Sequence, residues 1–130
     1  MRQILVVEDD ADLRRMLARV LSAKYFVTTA GNGREALARI RGGRRYDLIL
    51  SDLAMPQLDG AQLYWQLIEI APAQARRMVF MSGGERPIAA QRLLRVVDNA
   101  YLAKPFEADH VRALLAQLLE LWGPVAAFAP

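Results

Sequence analysis

Gln3-Ile4-Leu5-Val6-Val7-Glu8-Asp9-Asp10-Ala11-Asp12-Leu13-Arg14-Arg15-Met16-Leu17-Ala18-Arg19-Val20-Leu21 contains two hydrophobic periods, one after the other. Gln3 to Val7 is a short, nearly continuous apolar run, the pattern of a strand buried on both faces. Leu13, Met16, Leu17, Val20 and Leu21 then recur at i, i+3, i+4, i+7 and i+8, the stripe of an amphipathic helix. Between them lie three carboxylates, and Asp10 or a neighbour suits the positive start of the helix as its cap. A strand that runs through an acidic turn into a helix is the opening half of a βαβ unit.

The same alternation continues along the chain. Phe26 to Ala30 reads as a second strand. Gly33 opens a helix carrying Ala36, Leu37 and Ile40, which Gly42-Gly43 ends. Asp47 to Ser51 reads as a third strand. Asp59-Gly60 starts a helix with Leu63, Leu67 and Ile70, and Pro72 marks its end. Met78 to Met81 reads as a fourth strand, followed by the loop Ser82-Gly83-Gly84 and a helix with Leu93, Leu94 and Val97. A short strand from Ala100 to Ala103 precedes a final helix striped with Val111, Leu114, Leu115, Leu118 and Leu119, stopped by Gly123-Pro124. Five strands alternating with five helices predict an α/β fold, a parallel sheet between two helical layers. Residues 1–122 are expected to form one domain. Residues 123–130 are an apolar, Ala-rich tail that either packs on that domain or begins a connection to further chain.

Composition narrows the function classes. At 130 residues the chain is one domain long, and 54% apolar residues with 24% charged exclude disorder by low hydrophobicity. The absence of Cys excludes thiol catalysis, a disulfide framework and zinc knuckles. No apolar stretch approaches the ~18–20 residues that span a bilayer. Met1-Arg2-Gln3 runs straight into the first strand, so no signal peptide and no membrane partner are expected, and a cytoplasmic location is. The net charge of +3 rests on 15 Arg against 2 Lys scattered over several segments. The densest group, Arg41-Gly42-Gly43-Arg44-Arg45, lacks interleaved aromatics, so direct nucleic-acid binding is not expected.

In an open parallel sheet, ligands bind beyond the carboxyl ends of the strands. The residues there are Glu8-Asp9-Asp10, Asp52, Ser82 and Lys104-Pro105. Two carboxylates ~4 Å apart repel by about 4 kcal/mol at an effective dielectric near 20. A divalent cation resolves that, and oxygen-only ligands point to Mg²⁺ or Mn²⁺. A Lys offers a point charge to a phosphoryl group and a Ser hydroxyl a hydrogen bond. An Asp carboxylate can itself be a nucleophile that carries an acyl phosphate. Asp52, at the centre, is the nucleophile candidate.

These motifs together resemble the receiver domain of response regulators, the phosphoacceptor module of two-component signalling, over residues 3 to about 121. The carriers are Ile4-Leu5-Val6-Val7-Glu8-Asp9-Asp10, the run from Asp47 through Asp52 to Asp59-Gly60, Met81-Ser82-Gly83, and Tyr101-Leu102-Ala103-Lys104-Pro105-Phe106. The resemblance implies a flavodoxin-like, doubly wound three-layer fold with sheet order 2-1-3-4-5. It implies a phosphoryl group received on Asp52 from a histidine kinase or histidine phosphotransfer protein. It implies Mg²⁺ held by Asp9, Asp52, the backbone carbonyl of Ala54, and Glu8 directly or through water. Lys104 would pair with Asp52 and later with the phosphoryl group, and its bond to Pro105 would be cis. Ser82 would move toward a phosphoryl oxygen, with Tyr101 turning inward after it. Output would pass through contacts with a partner protein that the residues do not name.

Other residues have plainer readings. Asp10 caps, Asp12 is a solvated helix charge, and Asp59 is a turn or cap residue. His110 is an exposed helix residue and not a phosphohistidine. Trp65 and Trp122 are packing or interface residues, and Met55, Met78 and Met81 pack. Tyr101 has the alternative of a plain edge aromatic. Gly83-Gly84 is read as permitting loop motion. Ala54 and Gly84 stand at positions that flank the phosphoryl group in the family and influence hydrolysis there, and neither carries a side chain able to position water or contact the group. A Mg²⁺-dependent aspartyl-nucleophile phosphohydrolase is disfavoured because Ala54 stands where it would want a second acid. A degenerate receiver serving only as an interaction module is disfavoured by Glu8, Asp9, Asp52, Ser82 and Lys104 standing together. The expected protein is therefore not an enzyme but a switch, acting alone or as the receiver module of a hybrid sensor kinase.

Overall fold

Side chains alternate across a strand, so an apolar run offers two faces to two helical layers. Strand β1 (Gln3–Val7) does this: Leu5 and Val7 point into one core, Ile4 and Val6 into the other, and all four are fully buried. The computed structural model describes residues 1–84 and 86–126, so the expectation for tail residues 127–130 lies outside them. Around β1 stand β2 (Phe26–Ala30), β3 (Leu48–Asp52), β4 (Met78–Ser82) and β5 (Tyr101–Ala103), all parallel, in the order β2-β1-β3-β4-β5. The chain winds outward from β1 in both directions, as the doubly wound, flavodoxin-like reading requires.

Helices α1 (Ala11–Leu21) and α6 (Ala108–Trp122) cover one face. Leu17 and Leu21 of α1, with Val111, Leu115 and Leu119 of α6, meet Ile4, Val6, Leu50, Val79 and Met81. Helices α2 (Gly33–Arg41), α3 (Gly60–Ile70), α4 (Pro72–Ala75) and α5 (Ile88–Val96) cover the other, where Leu37, Ile40, Leu63, Leu67 and Leu93 pack on Leu5, Ile49, Met78 and Phe80. Each fully buried Leu, Ile or Phe contributes on the order of 1.5–3 kcal/mol relative to exposure.

Helix starts follow the caps read in the sequence. Asp10 Oδ1 accepts from the N–H groups of Asp12 and Leu13. Asp59 forms a capping box with Gln62 on α3. The C-terminus of α2 is Gly42, with Gly43 at φ +99°, where a side chain would strain the backbone.

Several boundaries differ from expectation. Strand β3 starts at Leu48 and includes Asp52, because Asp47 turns its carboxylate to the edge, accepting from Gln3 N and Val125 N. Strand β4 extends to Ser82 and β5 begins at Tyr101. Val97 is the extended residue that ends α5, not part of it. Pro72 marks the end of α3, which stops at Ile70, and it also opens a short helix of its own. It is the first residue of the four-residue α4, where its missing N–H costs nothing, and the break falls at Ala71 (φ −154°, ψ 68°). The described residues thus hold six helices where the periodicity predicted five.

Candidate functional site

Glu8 follows β1 directly and is completely buried, its N–H donating to Ala30 O (3.1 Å) and its carbonyl accepting from Arg14 of α1 (2.9 Å). Asp52 is the last residue of β3 and is 5% exposed. Asp9 is exposed beside them. One carboxylate oxygen from each of Glu8, Asp9 and Asp52 lies within 4.8 Å of the others.

Lys104, just beyond β5, reaches across the sheet edge to both buried acids. Its Nζ donates to Glu8 Oε1 at 2.7 Å and to Asp52 Oδ2 at 2.8 Å. The second oxygens are held by backbone: Asp10 N–H donates to Glu8 Oε2 (3.1 Å) and Ala54 N–H to Asp52 Oδ1 (3.1 Å). Burial pushes the Glu8 carboxyl up to about 7, against the downward pull of the Lys104 hydrogen bond. Burial pulls the Lys104 ammonium down, but its hydrogen bonds to Asp52 and Glu8 and their charges outweigh that and raise it overall. The site therefore holds excess negative charge around one bridging ammonium, in a set of hard oxygen donors suited to a hard divalent cation.

Two close approaches at glycines shape this edge. A Cβ on Gly60 would overlap Asp52 O, so only glycine lets α3 begin against the end of β3. A Cβ on Gly83 would stand 2.9 Å from Lys104 Cβ, and Lys104 N–H donates to Ser82 O at 2.8 Å. Gly83 is thus a packing requirement; Gly84, at φ +59°, is the residue of the pair whose backbone conformation favours glycine. The Lys104–Pro105 peptide bond is cis.

Ser82 is 2% exposed, and its Oγ lies 3.0 Å from the Tyr101 hydroxyl, which also donates to Ser82 O (3.3 Å). Tyr101 is half-buried, with the Arg86 guanidinium 5.2 Å above its ring centre. The ring thus already faces Ser82. His110 and Trp65 are exposed, and Trp122 packs under Arg77 at 5.8 Å. Met78 and Met81 are core residues and Met55 packs against the core. Asp12 pairs with Arg15 on the exposed face of α1.

The structure thus brings Glu8, Asp9, Asp52, Ala54, Ser82, Tyr101 and Lys104 to one edge. Sequence reasoning missed Arg86 over Tyr101. It also missed three polar tethers under the sheet. Gln74, fully buried, accepts from Tyr46 N and donates to Tyr46 O. Asn99 donates to Ala75 O and Met78 O, and Asp47 holds the two chain ends. A lone polar residue flanking a strand is the only local signal for any of these.

Comparison with known proteins agrees with this geometry. Residues 4–116 match the family model for the response regulator receiver domain, and the chain belongs to that family. It is 34% identical over 119 residues to the response regulator receiver protein CpdR of Brucella abortus (strain 2308), covering 91% of this chain and 94% of CpdR. It is 31% identical over 122 residues to the transcriptional regulatory protein GlrR of Escherichia coli (strain K12), covering 93% of this chain but 27% of GlrR. The signal receiver domain of a signal transduction histidine kinase from Syntrophus aciditrophicus superposes with a TM-score of 0.83 at 26% identity, covering 100% of this chain and 98% of that one. Receiver domains are in general signalling switches of two-component systems. They bind Mg²⁺ through acidic residues and interact with histidine kinases or phosphotransfer proteins. Among the described residues no helix is long and apolar enough to cross a membrane.

Proposed function

We propose that this receiver accepts a phosphoryl group on Asp52 from a phosphohistidine of a histidine kinase or histidine phosphotransfer protein. The observation that carries the reading is Lys104 Nζ bridging Glu8 and Asp52 within an oxygen-only acidic cluster. An Asp52 carboxylate oxygen attacks phosphorus, the N–P bond of the donor breaks, and the imidazole nitrogen leaves with the bond's electron pair and is protonated. Glu8, Asp9, Asp52 and the Ala54 carbonyl would hold Mg²⁺, or Mn²⁺ in its place, which supplies charge neutralisation at the phosphoryl oxygens. Lys104 orients Asp52 beforehand and pairs with the phosphoryl group afterwards. Ser82 Oγ hydrogen-bonds a phosphoryl oxygen, and Tyr101, already joined to Ser82, follows that movement. The acyl phosphate carries close to two negative charges where the Asp52 carboxylate carried one, and this added charge at the edge biases a two-state equilibrium in the loops after β4 and β5.

Residues 1–122 form the switching domain and residues 123–130 its tail, acting in the cytoplasm. Output passes through protein contacts, either by the receiver alone or within a hybrid sensor kinase. The test is intact mass after incubation with Mg²⁺ and acetyl phosphate, beside Asp52→Ala. One added phosphoryl group in the parent chain and none in the variant is the expected result. Equal addition in both overturns Asp52 as the acceptor.

A further inference from the structure

We propose that Arg86 is a positioning residue for the switch, holding the Tyr101 ring on Ser82 and tying that ring to the start of α5. This inference rests on the reading of Ser82 and Tyr101 given above and adds a residue to it.

Three contacts form a chain. The Tyr101 hydroxyl sits 3.0 Å from Ser82 Oγ and donates to Ser82 O. The Arg86 guanidinium lies 5.2 Å above the centre of the same ring, within range for a cation held by the ring's negative face. The Arg86 backbone is fixed in turn, its carbonyl accepting from Gln91 Nε2 in the first turns of α5 (2.8 Å), with Pro87 next to it setting φ at −56°. Arg86 is thus anchored at its backbone to α5 and at its side chain to β5. Among the described residues no side chain caps the N-terminus of α5, and the Gln91–Arg86 bond is a side-chain tie across that end. Tyr101 cannot leave Ser82 without losing the guanidinium from its face. A ring swing outward is therefore opposed by Arg86 and transmitted to the first turn of α5.

The consequence is quantitative. A partly exposed cation–aromatic contact biases a two-state equilibrium by roughly 2- to 5-fold. If the phosphorylated form prefers Tyr101 on Ser82, linkage requires Arg86 to strengthen the binding of any phosphoryl mimic by the same factor.

The experiment uses the full chain labelled with 3-fluorotyrosine. Its four tyrosines give resolvable ¹⁹F resonances, and Tyr101→Phe assigns one of them. In the unliganded protein, Arg86→Ala is expected to move the Tyr101 resonance toward the solvent-exposed position, leaving the other three in place. Arg86→Lys, which keeps a cation but not the planar stack, is expected to restore part of the shift. Beryllofluoride with Mg²⁺ then serves as the phosphoryl mimic. Its dissociation constant should rise roughly 2- to 5-fold in Arg86→Ala and be unaffected by that change in a Tyr101→Ala background. A Tyr101 resonance identical in the parent and in Arg86→Ala overturns the proposal, as does an equal Arg86 effect with and without the ring. Failure of the parent chain to bind beryllofluoride would count against the phosphoacceptor reading, while the unliganded ¹⁹F spectrum would still decide the role of Arg86.

Discussion

Gly60 and Asp52 are packed backbone to backbone: a Cβ on Gly60 would overlap the Asp52 carbonyl oxygen and stand 3.0 Å from its carbonyl carbon and from Leu53 Cα. The contact joins the start of α3 to the residue that carries the proposed chemistry. It explains why α3 begins with Gly, the residue without the Cβ that would strike the end of β3.

Gly60→Ala is accordingly expected to destabilise the protein by about 1–3 kcal/mol, the range of overpacking against atoms that cannot yield. It should also slow phosphorylation by displacing Asp52. Gly42→Ala is the control, since φ there is −75° and the nearest atoms to a new Cβ are 3.4 Å away. That change is expected to be neutral or stabilising by up to ~1 kcal/mol. Urea unfolding of the two variants checks both, and a Gly60→Ala protein as stable as the parent would remove the argument.

Without Mg²⁺, stability should depend on pH through Glu8. Its carboxyl stands at about 7 in the fold against 4.5 unfolded, raised by burial and by the Asp52 charge despite the hydrogen bonds from Lys104 Nζ and Asp10 N–H. A raised acid favours folding when protonated. The contribution is complete below about pH 4.5 and is lost as pH rises through about 7. The loss is on the order of 3 kcal/mol at ~1.4 kcal/mol per pH unit. Saturating Mg²⁺ favours the ionised carboxylate and should shrink it. Thermal melts between pH 5 and 8.5 for the parent and Glu8→Gln provide the check, the variant being expected to show a flatter profile.

Gln74→Leu tests the tether beneath the sheet. It keeps the volume and removes both partners of the Tyr46 backbone, whose N–H and C=O are met by Gln74 at 2.9 Å each. Orphaning buried backbone groups costs about 1–3 kcal/mol apiece. Amide exchange at Tyr46 should accelerate together with the loss of stability. Unchanged protection there would show that water replaces the side chain.

Asp47→Ala should free both chain ends at once. The carboxylate accepts from Gln3 N at 2.7 Å and Val125 N at 2.8 Å and lies 4.0 Å from Arg2. The expected loss is about 1–3 kcal/mol. Asp47→Asn, which keeps one acceptor oxygen, should fall between the parent and Asp47→Ala in Tm. Limited proteolysis near residue 125 provides a second readout, with faster cleavage expected in Asp47→Ala.

The layers of this protein were legible in its sequence because strand and helix periods report local geometry. The continuous apolar runs at Ile4–Val7 and Leu48–Leu50 required a sheet covered on both faces, and the stripes at Leu13–Leu21 and Val111–Leu119 required helices to cover it. Asp10 and Asp59 announced their helix starts because capping is settled within three residues. Glu8, Asp52, Ser82 and Lys104 could be read as neighbours because every parallel strand delivers its C-terminal residue to one edge.

Only the tertiary structure decided which polar groups meet. Lys104 bonds Glu8 across 96 residues, Gln74 serves Tyr46 across 28, and Arg77 reaches Asp47 O and Gly123 O from the start of β4. The placement of Arg86 over Tyr101, and the close approaches at Gly60 and Gly83, belong to the same class. Periodicity states which face a residue occupies but not what stands opposite. That depends on how the crossovers set strand register and helix position, and a hydrogen bond or a forbidden Cβ is fixed by separations of a few tenths of an ångström.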